Sequence, residues 1–230
     1  MKTTATNPNQ TLSLIRRIGV GILLTAMVLL TAGSGTVRYS GLRNVQSRLM
    51  AAGEVVSLPI ATGANFEASA LALRHWDKSE ITVHVSASAS DNKTPRQVAE
   101  LSGAGIGLWN ARIGKFLTVK LTEQTDADVT VDFVTPGTLP GGAIGETNVQ
   151  FNPEDASISH AAIQINERLS KAQLVQVVAH EMGHALGIQG HSSDKHDVMY
   201  PTAHLPIEVT DRDVNTLKLG YMAAVTTPTE

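Results

Sequence analysis

Residues 177–201 read VVAHEMGHALGIQGHSSDKHDVMYP and hold four of the chain's eight histidines. Just upstream, Leu174, Val178 and Met182, joined by Val175 and Leu186, recur at helical spacing behind Ser170, a residue suited to cap a helix. The segment is therefore expected to be a helix with one buried side. On such a helix His180 and His184 stand one turn apart on the same face, so both imidazoles can grip one ion. Glu181 is rotated by about 100° from His180 and reaches the outer shell of that ion instead of ligating it. Gly187 stands where the helix has to end, because glycine enters the left-handed region without steric penalty. The turn can then bring His191 to the ion from the other side. His196 is the competitor, at the end of a longer excursion that needs more ordering. Three neutral nitrogens and a water complete a tetrahedron with one position open for chemistry. The chain has no cysteine, so any metal must be held by imidazole or carboxylate, and disulfides and thiolate ligands are excluded.

Composition says where such a site sits. With 230 residues and 42% hydrophobic content, the chain has room for one ordinary domain plus a leader. Lys plus Arg number 18 against 21 Asp plus Glu, a balance that attracts neither nucleic acid nor an acidic membrane surface. At the N-terminus, Lys2, Arg16 and Arg17 precede an uncharged apolar run, IGVGILLTAMVLLTAG (18–33), that ends in small residues. That layout reads as an export signal over residues 1–34, giving a secreted or extracellular protein. The alternative is an uncleaved membrane anchor formed by residues 18–33. Residues 35–72, rich in Ser, Gly and Ala, read as a linker or short pro-segment, and a folded domain is expected over 73–224.

Within that domain, Ile81, Val83 and Val85 alternate with polar residues at the period of a half-buried strand. Thr94 and Pro95 then open a helix that carries Val98, Leu101, Ile106, Leu108 and Trp109. FLTVKLTE and ADVTVDFV are two more strands, TLPGGAIGETNVQF a glycine-rich crossing loop with a short extended piece, and ISHAAIQINE a further strand. Thr210 caps a last helix, with Asp213 three residues on as the partner in its cap. Trp76 and Trp109 read as core, and His75, His84, His160 and His204 as surface or half-buried residues.

The segment 180–201 resembles the metzincin zinc peptidases, and is most similar to the matrixin branch, whose signature is H-E-x-x-H-x-x-G-x-x-H followed by a methionine turn. DVMYP matches that turn, and the order of elements over residues 75–221 agrees more loosely. The resemblance implies an α+β, zincin-like catalytic domain: a twisted mixed β-sheet with an active-site helix, a backing helix and a C-terminal helix. It implies one catalytic Zn2+ on His180, His184 and His191, with Met199 as an apolar floor and Tyr200 and Pro201 bordering a substrate pocket. The function implied is a zinc-dependent endopeptidase that hydrolyses peptide bonds with a zinc-activated water and Glu181 as general base. Its partner would be a protein or peptide substrate paired with backbone somewhere in 145–166, and the enzyme a monomer. Structural calcium, carried by some matrixins, is not specified by any loop spacing among Glu146, Glu154 and Asp155. Two departures stand out. The family's third ligand position is Gly190 here, with His191 one residue late, and Gly190 is expected to absorb the extra residue. The family's Pro-x-Tyr is replaced by Pro201-Thr202-Ala203. Competing readings are a non-catalytic zinc-holding, peptide-binding module of the same fold and a membrane-anchored processing peptidase.

Overall fold

The computed structural model describes residues 73–86, 93–202 and 208–223. The expected export signal, the linker and His204 lie outside the described residues. In chain order the elements are β1 (His75–Trp76), β2 (Glu80–Val85), α1 (Pro95–Ile113), β3 (Thr118–Thr122), β4 (Val129–Val134), a 3₁₀ turn (Pro140–Gly142), β5 (Gly145–Phe151), β6 (Ser157–Asn166), α2 (Lys171–Leu186) and α3 (Asp211–Ala223).

Alternation builds the sheet. Ile81 and Val83 on β2, Val129 and Val131 on β4, and Ala161, Ile163 and Ile165 on β6 all point into the core, as a period of two requires of strands with one covered face. The strands run in the order β3-β2-β4-β6, each parallel to its neighbour. Parallel partners cannot be joined by a hairpin, and α1 is the crossover from β2 to β3. β1 adds two residues beside Ser157 and Ile158 of β6. β5 alone runs antiparallel, on β6, and among the described residues no strand pairs with its other side. The expected short extended piece after the glycines is thus a seven-residue strand with an open edge.

Each helix starts on a side-chain cap. Thr94 and Gln97 form a reciprocal capping box at α1, with Pro95 as its first residue, and Ser170 and Gln173 repeat the device at α2. At α3, Thr210 N donates to Asp213 Oδ2 at 2.8 Å and Asp213 N donates to Thr210 Oγ1 at 3.2 Å. Both tryptophans are fully buried. His75 departs from expectation: instead of a surface or half-buried place it is only 2% exposed, edge-on to the Tyr221 ring at 6.2 Å. Burial holds its imidazole below the ordinary range.

Candidate active site

Helix α2 is fixed before any ligand is considered. The last four carbonyls of a helix have no partner inside it, and here all four are satisfied from elsewhere. Gly183 O accepts from Ile188 N, and His184 O from Gly187 N and from Gln189 Nε2, each at 3.0 Å. Ala185 O accepts from the Trp76 indole at 2.9 Å and Leu186 O from the Tyr221 hydroxyl at 3.0 Å. Gly187 takes φ 129°, and a Cβ there would overlap the carbonyl oxygen of Arg74. The glycine is thus demanded twice, by the turn and by the close passage of the chain leading into β1.

On this helix His180 and His184 meet edge to face with ring centroids 4.9 Å apart, and His191 closes the group, stacked on His180 at 5.2 Å and edge-on to His184 at 5.0 Å. One ring nitrogen from each lies within 4.8 Å of the others. Second partners set the tautomers. His180 Nδ1 lies 2.8 Å from Val198 O and His184 Nδ1 lies 2.6 Å from Ile188 O. A carbonyl can only accept, so each Nδ1 carries the proton and each Nε2 keeps a lone pair for a cation. Burial, followed by the nearby His180, pushes His184 down to about 3. It stays neutral near pH 7, the state in which imidazole ligates. Three imidazole nitrogen donors and no thiolate form a donor set that fits Zn2+.

His191 is the exposed member of the trio, and its loop is tied down one residue later. Ser192 N donates to Met199 O at 2.9 Å, and the Ser192 hydroxyl donates to Asp197. Asp197, 1% exposed, also accepts from Thr210 Oγ1 at 2.6 Å and Arg212 Nε at 2.9 Å. His196 stands outside the trio, exposed and against Asp194 Oδ1 at 2.8 Å. Gly190 is not among the glycines with positive φ, so the extra residue is accommodated without that conformation.

Below the imidazoles, Met199 is fully buried. Its turn is held by Asp213, which accepts from Val198 N at 3.0 Å and Met199 N at 3.3 Å besides Thr210 N. Asp213, expected as a cap alone, is therefore also the acceptor that fixes the turn. Burial lifts its carboxyl to about 6, against the pull of these hydrogen bonds.

Glu181 is nearly buried. Its Oε2 accepts from the Thr147 hydroxyl at 2.6 Å. Burial raises the carboxyl to about 7; the Thr147 hydrogen bond opposes this and Glu146 adds to it. Glu181 and the three imidazoles open on one cleft of about 590 Å³, flanked by Gly145 and Thr147 on one side and by Tyr200, Pro201 and Thr202 on the other. Sequence patterns missed the roles of Thr147, Ser192, Asp197 and Arg212, since these rest on side-chain contacts that no periodicity or cap pattern marks.

The family model of the matrixin peptidases matches residues 75–222. The chain belongs to the matrixin family. No curated protein matches it. Matrixins are zinc metallopeptidases, and the imidazole trio of this matrixin can hold the metal that such chemistry needs. Among its described residues no helix is long and apolar enough to cross a membrane.

Proposed function

We propose that this matrixin is an exported zinc-dependent endopeptidase that uses Glu181 as general base. The observation that carries the reading is a single cleft shared by three converging imidazoles and one buried carboxyl group. His180, His184 and His191 would hold a zinc ion, which would supply Lewis acidity toward the scissile carbonyl and the attacking water. The remaining work falls to the protein. The open edge of β5 offers backbone donors and acceptors to an extended peptide, which binds as an added strand. Tyr200 and Pro201 border the pocket for a side chain next to the cut bond. Glu181 Oε1 and Oε2 are the atoms that take a proton from water and return it to the departing amine. A carboxyl lifted to about 7 by burial holds a proton far more readily than an exposed glutamate does.

In the proposed organisation, residues 1–34 direct export and are removed, residues 35–72 form a linker or short pro-segment, and 73–224 is the catalytic domain, acting as a monomer. With no cysteine in the chain, latency cannot come from a thiolate occupying the metal.

The test is cleavage of a fluorogenic peptide mixture by the purified protein with and without a zinc chelator, alongside Glu181→Gln. Chelation is expected to abolish cleavage and added zinc to restore it. The Gln variant should keep its zinc while hydrolysis falls by about 10²–10⁴-fold. Cleavage that survives chelation, or a fully active Gln variant, overturns the reading. Mass spectrometry of the mature N-terminus reads out removal of residues 1–34.

A further inference from the structure

We propose that Thr147 is a positioning residue for Glu181, so that the strand offered to substrate also aims the base. The inference rests on the reading of Glu181 as general base. Along β5, Gly145, Thr147 and Val149 are half-buried while Glu146, Asn148 and Gln150 are exposed, the period of two that gives the strand an inner and an outer row. The inner row meets Glu181 at two points. Thr147 Oγ1 lies 2.6 Å from Glu181 Oε2 and 3.1 Å from the backbone oxygen of the same residue. A hydroxyl has one proton, and the shorter contact, to the side-chain oxygen, is the stronger of the two. At the second point, a Cβ on Gly145 would stand 2.5 Å from Glu181 Oε1 and 2.6 Å from Val177 Cγ1. Oε1 therefore fills the room that the missing side chain leaves, while Oε2 is held by the hydroxyl.

A base must lie within hydrogen-bond reach of the proton it takes. Glutamate, with three rotatable bonds, does not keep that aim by itself. No residue of α2 supplies the donor; it comes from the neighbouring strand. The same strand presents its backbone edge to the cleft, so the placement of the peptide and that of the base share one rigid element. Misplacing a reacting group by about 1 Å costs on the order of 10²-fold in rate, whereas backbone pairing of the peptide does not involve the hydroxyl. Loss of the hydroxyl should therefore appear in kcat and not in KM.

Valine has the shape and strand preference of threonine without the donor, and serine keeps the donor without the methyl. Thr147→Val, Thr147→Ser, Glu181→Gln and wild type are compared on one fluorogenic peptide, with zinc content and melting temperature measured for each. Thr147→Val is expected to lower kcat by roughly 10–100-fold, bounded by the misplacement cost, with KM and zinc content unchanged. Thr147→Ser should recover most of that loss. A Val variant with wild-type kcat overturns the inference. So do equal losses in the Val and Ser variants, or a loss that tracks released zinc, since either makes Thr147 a packing residue only. If wild type cleaves and Glu181→Gln does not, any such failure belongs to Thr147 alone. An inactive wild type or an active Gln variant removes the base itself, and this inference with it.

Discussion

Replacing Gly183 by alanine sets two effects of opposite sign against each other. The residue lies inside α2, where helix propensity alone favours alanine by about 1 kcal/mol. Packing opposes it: a Cβ at 183 would overlap Met199 Sδ and stand 2.8 Å from Trp109 Cζ2. The indole cannot retreat, being fully buried and bonded to Ala179 O at 2.7 Å. Met199 can turn its side chain, but its backbone is held by Asp213 on the nitrogen and by Ser192 on the oxygen. Overpacking of this kind costs about 1–3 kcal/mol, and with both neighbours restrained the upper end applies. The net loss is then about 2 kcal/mol. For a domain spanning residues 75–222 this lowers Tm by roughly 4–8 °C, at about 2–4 °C per kcal/mol. Zinc affinity should fall as well, because Val198 O, next to Met199, orients His180. Scanning calorimetry at fixed zinc, with a chelator competition, measures both. An alanine variant that melts higher than wild type and binds zinc equally well would mean that propensity wins, and that Met199 does not press on the helix.

Two further predictions concern the turn and the third ligand. Asp213→Asn sets an amide donor among the three backbone donors that the carboxylate now receives, at a cost of about 1–3 kcal/mol. The wild-type carboxyl is raised by burial from its ordinary 3.8 to about 6. Its contribution to stability is therefore full below about pH 4 and declines as pH rises through 6, by up to about 3 kcal/mol for a shift of roughly two units. The stability gap between wild type and Asn variant, from urea unfolding, should narrow over that window; a gap that is flat or widens contradicts the burial argument. His191→Ala should weaken zinc binding by more than the ~10–100-fold that losing a supporting partner costs, while His196→Ala leaves it unchanged. The opposite order in a zinc titration would transfer the third position to His196.

Much of this was readable from local chemistry. The period of two in ITVHV and ADVTVDFV marks strands, the caps at Thr94, Ser170 and Thr210 mark helix starts, and four-residue spacing puts His180 above His184. Each signal is complete within a few residues of chain, and the elements these signals mark stand where they were expected. The misses share one cause. His75 looks like any polar residue in a strand, and its burial depends on elements distant along the chain, Tyr221 of α3 among them. Asp213 satisfies the pattern of a cap, which conceals its second task on the turn 14 and 15 residues away. Thr147 is an ordinary strand threonine until α2 sets Glu181, 34 residues later in the chain, beside it. Local patterns specify which element forms; a side chain's partner depends on how the elements stack.

The spacing of the third histidine shows the same division. One added loop residue changes closure entropy little, since even doubling a loop costs only about 0.6 kcal/mol. The risk lies in aim, as a longer loop could leave the imidazole adrift. Here the freedom is confined from both sides. Gln189 is bound through its side chain to His184 O, and Ser192 is bound to Met199 O and to Asp197, which Thr210 and Arg212 secure in turn. Between these anchors only Gly190 and His191 are left to adjust. The position of His191 is therefore set by where the anchors stand and not by how many residues separate the histidines. A count of residues rejects this chain, whereas the polar network that closes the loop accepts it.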